Sequence, residues 1–426
     1  LLALYEKIKQ NAAQIEEMRQ QGTGADLAAL NRLATKNNLM EIELMKSCAE
    51  YDDYTKYLAY SWHDVQDKLQ AEDMAIEFTN YDESPLDENM YLFALVLTKE
   101  GTPDAKLVIS KKYINIMKSL DDLYDDAKYY PIIWESMAEE MAGKKRIYFA
   151  PNTFISDMAI EYMKCGEKPM SEVYEMHRMS STKELCRTYA TNGKKRAALF
   201  GNIRYSKNQK KGASSEASET RGALDFGALK NAEQEMKDVA KVLKSGKVKV
   251  SSYEWTKADE AHFRALDEAG YDIIHVSTHG AYLGDRNTSA SDAMRLSLLA
   301  FADINDFQEA TDEKNDGILM AADIAQMNLR GCDLAVLSAC ETARGASGGD
   351  GVFGLQRGFK NAGVHSLMMS IKPVYDKATA KLMAYFYTNL ANGMDKRNAL
   401  VSAQRQLREE GFTEGRYWAM FIIIDE

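Results

Sequence analysis

The stretch Leu334–Arg344, LAVLSACETAR, carries a largely apolar run that ends at Cys340, and a Gly-rich, acidic loop follows. A short apolar run without alternation fits a strand buried on both faces, as strands of parallel sheets are. This one exits at Cys340. Further strand patterns lie on either side. Arg196–Gly201, Lys247–Val250, Tyr271–Val276, His365–Ile371 and Trp418–Ile424 read as strands. Between them lie helical patterns over 231–243, 258–266 and 352–361, and from 377 and 395. Asn231 is placed as an N-cap, with Glu235 inside the first turns. Strands alternating with helices in this way predict an α/β fold whose sheet is mainly parallel and flanked by helices.

Farther upstream, Met74–Phe78, Tyr91–Leu97, Lys106–Ser110 and Lys145–Ala150 read as strands of another α/β unit ending near Leu185. Before them the period is helical. Leu2, Tyr5, Ile8 and Ile15 keep one face, and Leu30, Leu33, Leu39, Ile42, Leu44 and Met45 another. The expected division is therefore a helical segment over 1–70, an α/β unit over 71–190 and a second over 191–426. Segments 205–222 and 284–316 are expected to be mobile loops. The chain opens on Leu1 inside a helical pattern, which reads as part of a longer protein.

Composition narrows the function classes. The 426 residues are 45% hydrophobic and 27% charged, enough for sizeable cores, and the formal net charge is −11. An acidic chain is a poor nucleic-acid binder, and Lys207–Gly212 reads as a solvated basic loop. Five cysteines and six histidines lie scattered, without Cys-x-x-Cys or paired-His spacing. That predicts no disulfide framework, no metal site and a reducing, cytoplasmic setting. No apolar run approaches the roughly 18 residues of a membrane span.

Ligands of open α/β sheets bind beyond the carboxyl ends of the strands. Two strands end there on capable side chains: YDIIHV exits as Ser277-Thr278-His279-Gly280, and DLAVLSA exits at Cys340. If the strands are neighbours, His279 can take the Cys340 thiol proton or stabilise the thiolate. The amides of Gly280 and Cys340 would form a two-donor oxyanion hole. Taken singly, a Cys after an apolar strand is more often core, and a lone His more often structural. The joint placement favours chemistry. His275, inside its strand, and Cys332, before its strand, are expected to be packed. The Gly-rich loop Gly345–Gly351 mimics GxGxxG as Gly349-x-Gly351-x-x-Gly354 but lies about nine residues past the strand. It is read as a wall of the site rather than a phosphate cradle.

HVSTHGAYLGD (275–285) together with LAVLSACETARG (334–345) resembles the signature of the CHAT family of caspase-like peptidases. GGDGVFGLQRGFKNAGVHSLMMSIKPVYD (348–376) resembles that family's Gly-rich loop, helix and next strand. The likeness extends upstream through SWHDVQDKLQAEDMAIEF (61–78), RMSSTKEL (178–185) and DGILMAADIAQMNL (316–329). It implies a caspase-like fold preceded by a degenerate caspase-like unit, with tetratricopeptide helices before both. It also implies clan CD cysteine peptidase chemistry, with His279 as general acid/base and Cys340 as nucleophile. Relatives carry Ser-Leu-Trp-Pro-Val-Asp-Asp where this chain has Ser370-Ile-Lys-Pro-Val-Tyr-Asp376. Asp376, Lys372 and Asp350 are the candidate substrate-binding residues, and Lys372 would oppose a basic P1 side chain.

The expected function is a cysteine endopeptidase acting on specific protein substrates, without cofactor or metal and gated by a partner protein. Prokaryotic defence or signalling is the implied setting. A catalytically silent scaffold that binds proteins through its helices is the alternative. A small-molecule hydrolase or acyltransferase using the same dyad is the third reading.

Overall fold

The computed structural model describes residues 7–8, 10–11, 14–15, 18, 27–47, 56–82, 90–110, 123–151, 155–156, 158–210, 226–283, 290–310, 312, 315–340, 350–372 and 374–425. At some element ends, Cys340 and Asp350 among them, only the backbone is described. The chain falls into two compact units, residues 1–65 with 185–187, and residues 66–184 with 188–426. The first carries helix α1 (Leu27–Ser47), and in it Ile8 and Ile15 are buried.

The second unit holds two large sheets, and residue 190 lies inside it. The first sheet is built from β1 (Asp73–Asp82), β2 (Met90–Thr98), β3 (Asp104–Ser110) and β4 (Arg146–Ala150). A small hairpin, β5 (Lys164–Cys165) with β6 (Lys168–Pro169), precedes its last strand, β7 (Glu175–Arg178). The order is β3-β2-β1-β4-β7, with β1, β4 and β7 parallel. Trp134 is its keystone. The ring stands edge-on to Phe78 and Phe149, and the indole N–H donates to the Ile160 carbonyl at 3.2 Å.

The second sheet contains β8 (Arg196–Ile203), β9 (Lys249–Trp255), β10 (Ile273–Tyr282), β11 (Ser297–Ala300), β12 (Ile318–Met320), β13 (Leu334–Cys340), β14 (Ser366–Ser370) and β15 (Phe421–Ile424). Its main body runs β9-β8-β10-β13-β14-β15, parallel throughout except for β15. The β11–β12 pair extends the far end of β10 by antiparallel pairing. The chain passes from β8 outward to β9 and returns to β10 on the other side of β8. That reversal is a topological switch point, where open α/β sheets form a crevice.

Helices α2 (Ala232–Ser245), α3 (Ala290–Leu296), α4 (Ala321–Ile324), α5 (Asp350–Asn361), α6 (Asp376–Ala391), α7 (Lys396–Glu409) and α8 (Gly415–Trp418) accompany this sheet. On α2 the buried Ala232, Met236, Val239 and Leu243 repeat every three to four residues, the stripe of a helix laid on a core. α2 packs on α6 and α6 on α7, while α5 packs on α3 and α4. Gly354 and Gly358 on α5 allow close approach: a Cβ at 358 would stand 2.6 Å from the Ala321 carbonyl oxygen.

Several boundaries depart from the sequence expectation. β9 begins at Lys249 rather than Lys247, because Lys247 turns with φ 61° after the end of α2. Trp418 closes α8, so β15 starts at Phe421. The helix expected over 258–266 is confined to Glu260–Arg264. Asn231 stands at the N-cap of α2 but makes no capping bond, because its side chain is committed elsewhere. Most consequential, β10 does not stop at Val276 and runs on to Tyr282.

The two sheets are stitched together. The Asp425 N–H donates to the Arg178 carbonyl (2.9 Å), and the Asp425 carboxylate accepts from the Ser180 N–H (2.7 Å) and hydroxyl (2.8 Å). Among the described residues no helix is long and apolar enough to cross a membrane. No group of three or more His, Cys, Asp or Glu is placed to hold a metal among them either.

Candidate active site

The continuation of β10 places His279 inside the strand. Ser277 and Thr278 are polar, yet both are buried with partners. The Ser277 hydroxyl donates to Glu235 (3.3 Å), and that of Thr278 donates to the Ala300 carbonyl. Those tertiary bonds let a polar run complete a buried strand.

Parallel pairing of β10 with β13 runs in register from Ile273 opposite Leu334 to His279 opposite Cys340. The two expected dyad residues thus share the last rung, on strands about 4.8 Å apart. The Cys340 side chain lies outside the described residues.

His279 is half-buried and held from several sides. Its Nε2 lies 2.7 Å from the Gly227 carbonyl oxygen, so Nε2 carries the proton and Nδ1 is the basic nitrogen of the neutral ring. Phe226 stacks on the imidazole at 5.2 Å with planes 25° apart, and Tyr205 lies at 5.0 Å. The Tyr205 hydroxyl sits 3.1 Å from Thr278 Oγ1. Burial lowers the His279 pKa below its ordinary value. The bond to Gly227 and the negative charge of Asp376 act in the opposite sense.

Gly280 pairs with Leu299 of β11. The Leu283 N–H donates to the Leu296 carbonyl (2.8 Å), and the Leu334 N–H to the Asp272 carbonyl (3.1 Å). Alternation along β10 from these bonds turns the Gly280 amide away from β11 and toward β13, at the level of Cys340. By the same alternation the Cys340 amide faces the Thr278 carbonyl. Both amides expected to form an oxyanion hole therefore point into the ladder. For them to receive a substrate oxygen, the last rung must part.

The expected substrate-binding residues are spread out. Asp376 opens α6, and its Oδ2 accepts from both the N–H and the Nδ2 of Asn231, each at 2.8 Å. Lys372 is half-buried just beyond β14, one strand from β13. Asp350 begins α5, with its side chain outside the described residues. Of the Gly-rich loop, residues 345–349 also lie outside them, as do 211–222 and 284–289 within the segments expected to be mobile.

His275 and Cys332 are packed, as their positions imply. His275 is fully buried between Tyr387 (3.1 Å) and Glu235 (3.0 Å). Cys332 is buried near the start of β13, and burial pushes its thiol up to about 12. Phe226, Gly227 and Asn231 carry no sequence signal that links them to His279. They reach the site through the segment before α2.

Residues 126–426, 301 of the 426, match the CHAT domain family. The chain belongs to the CHAT domain family. The CHAT match begins within the first sheet, ahead of β4, and takes in the whole second sheet. Tetratricopeptide repeat protein 28 of Mus musculus and that of Homo sapiens are each 31% identical to the chain over 108 residues. Those residues are 25% of this chain and 4% of each relative, so the chain spans a small part of their length. Among solved structures, the Arg-specific cysteine proteinase gingipain R aligns with TM-score 0.41 at 10% identity, covering 74% of this chain and 75% of that one. The Saccharomyces cerevisiae separase–securin complex aligns with TM-score 0.42 at 9% identity, covering 85% of this chain and 30% of that one.

Proposed function

We propose that this CHAT protein is a cysteine endopeptidase with His279 and Cys340 as its dyad. The observation that carries the reading is the rung joining the two residues at the carboxyl end of a parallel sheet, beside the switch point. The Cys340 sulfur attacks the substrate carbonyl carbon as its proton passes to His279 Nδ1. That proton then goes to the leaving amine as the C–N bond breaks, and water hydrolyses the thioester. The Gly227 carbonyl steadies the imidazolium formed on the way. Opening of the last β10–β13 rung would free the Gly280 and Cys340 amides for the oxyanion. Binding of a regulatory protein partner is the proposed trigger. Asp376 sits close enough to influence His279, but its Oδ2 already serves Asn231, which leaves one oxygen for a basic substrate group.

The closed rung also favours a second reading, a silent scaffold in which the ladder never opens. New protein N-termini in a cell lysate treated with the chain, with and without candidate partner proteins, separate the two. Cleavages lost in both Cys340→Ala and His279→Ala support the peptidase and report its P1 residue. Identical N-termini for all three proteins under every condition would favour the scaffold.

A further inference from the structure

We propose that Asn305 is a positioning residue for His279, acting through the backbone of Phe226 and Gly227. Its catalytic consequence rests on the peptidase reading; its effect on the imidazole does not.

Asn305 lies in the 3-10 turn Ile304–Glu309, between β11 and β12. Its Oδ1 accepts from the Phe226 N–H at 2.9 Å, and its Nδ2 donates to the Phe226 carbonyl at 2.9 Å. One planar amide thus grips both polar groups of a single residue, which fixes the position and the orientation of that backbone. The next carbonyl along, Gly227, accepts from His279 Nε2, and the Phe226 ring covers the imidazole. Asn305 is itself anchored, since its N–H donates to the Tyr205 carbonyl at 2.9 Å. On either side, the Asp303 N–H donates to the Arg204 carbonyl (2.8 Å), and the Lys207 N–H donates to Asp306 (2.5 Å). Arg204 and Asp303 also form a two-bond ion pair.

The turn is therefore sewn to the exit of β8, and its asparagine extends that hold to the segment touching His279. A Gly227 carbonyl aimed at Nε2 reserves Nδ1 for proton transfer. It also favours the protonated ring, against the burial that lowers its pKa. An asparagine that merely stapled a loop would have no reason to affect which ring nitrogen holds the proton.

The test uses the full chain labelled with ¹⁵N-histidine, the His279 signal being assigned by its loss in His279→Ala. In Asn305→Ala the His279 titration midpoint should fall, and its ring nitrogens should shift away from the Nε2–H form of the wild type. Asp303→Ala, which removes the neighbouring ion pair and leaves the clamp, should alter neither. With a cleavable substrate, Asn305→Ala should lower kcat about 10- to 100-fold with KM held. Should Asn305→Ala fail to fold, Asn305→Asp keeps the acceptor for the Phe226 N–H but replaces the donor to its carbonyl with a negatively charged oxygen, which repels that carbonyl. Its ring-nitrogen shifts should then move in the same direction. Unchanged His279 signals in a folded Asn305 variant, or equal changes in Asp303→Ala, would overturn the proposal. A protein with no peptidase activity but the expected His279 shifts would defeat the peptidase reading and leave this one standing.

Discussion

Arg397, in the first turn of α7, is the most demanding single tie between the two sheets. Its guanidinium is buried and donates to the carbonyls of Met176 (3.2 Å) in β7 and of Ser171 (2.6 Å) and Tyr174 (2.7 Å) just before it. Hydrogen bonds to a charged donor are worth about 1.5–3 kcal/mol each, so three amount to roughly 5–9 kcal/mol. Those values already allow for the water each group gives up, and bonds from one guanidinium do not add fully, so Arg397→Ala should destabilise by about 3–5 kcal/mol. Arg397→Lys keeps a charge near Ser171 and Tyr174, which share one nitrogen, but cannot also reach Met176. It should cost about 1 kcal/mol. The chain has four tryptophans, so urea unfolding is followed in two backgrounds, one keeping only Trp134 of the first sheet and one keeping only Trp255 at the end of β9, the others being replaced by Phe. With Arg397 present the two transitions should coincide. With Arg397→Ala the first-sheet transition should come earlier. A loss below about 1 kcal/mol with transitions still coincident would refute this account of how the sheets are joined.

Three further outcomes are expected. Asp376→Asn removes a charge that favours the protonated His279 ring, so the His279 titration midpoint and the acid limb of Cys340 alkylation should both move to lower pH. Burial raises Glu260 to about 7, so the folded chain keeps a proton there that the unfolded chain has released. Stability at this site should therefore fall as pH rises from about 4.5 to 7, and Glu260→Gln should flatten that part of the profile of unfolding free energy against pH. On α5, Gly358→Ala meets the Ala321 carbonyl oxygen at 2.6 Å, and Gly354→Ala meets the Ala293 carbonyl oxygen at 2.7 Å. Overpacking should outweigh the gain in helix propensity and destabilise each by about 1–3 kcal/mol in thermal melts.

The strands were legible wherever burial on both faces wrote itself as an apolar run, as in β8, β13 and β14. Legibility failed where polar residues are buried by distant partners. Ser277 and Thr278 read as a loop, because Glu235 and Ala300, which satisfy them, lie far away in sequence. His279 and Cys340 could be expected close together from the order of their strands, but their shared rung depends on β10 running on past Val276, which the sequence did not announce. The Asn305–Phe226–Gly227 hold was illegible, because one asparagine side chain and two backbone carbonyls leave no periodicity. Gly354 drew notice for a nucleotide pattern. Its role is packing, and the signal was its four-residue spacing from Gly358 against α4 and β11.

The antiparallel strand β15 has a consequence for the timing of assembly. It follows every other strand in the chain, yet Asp425 at its end binds Ser180, 245 positions earlier. Lys360 reaches the same carboxylate at 2.9 Å. Contacts of such long sequence separation form late and slowly. During synthesis the first sheet and the parallel body of the second can each begin to organise, but their seam waits for β15. Until it docks, the edges of β7 and β14 remain open to other chains. The stage most exposed to misassembly is thus the interval just before the last strand arrives.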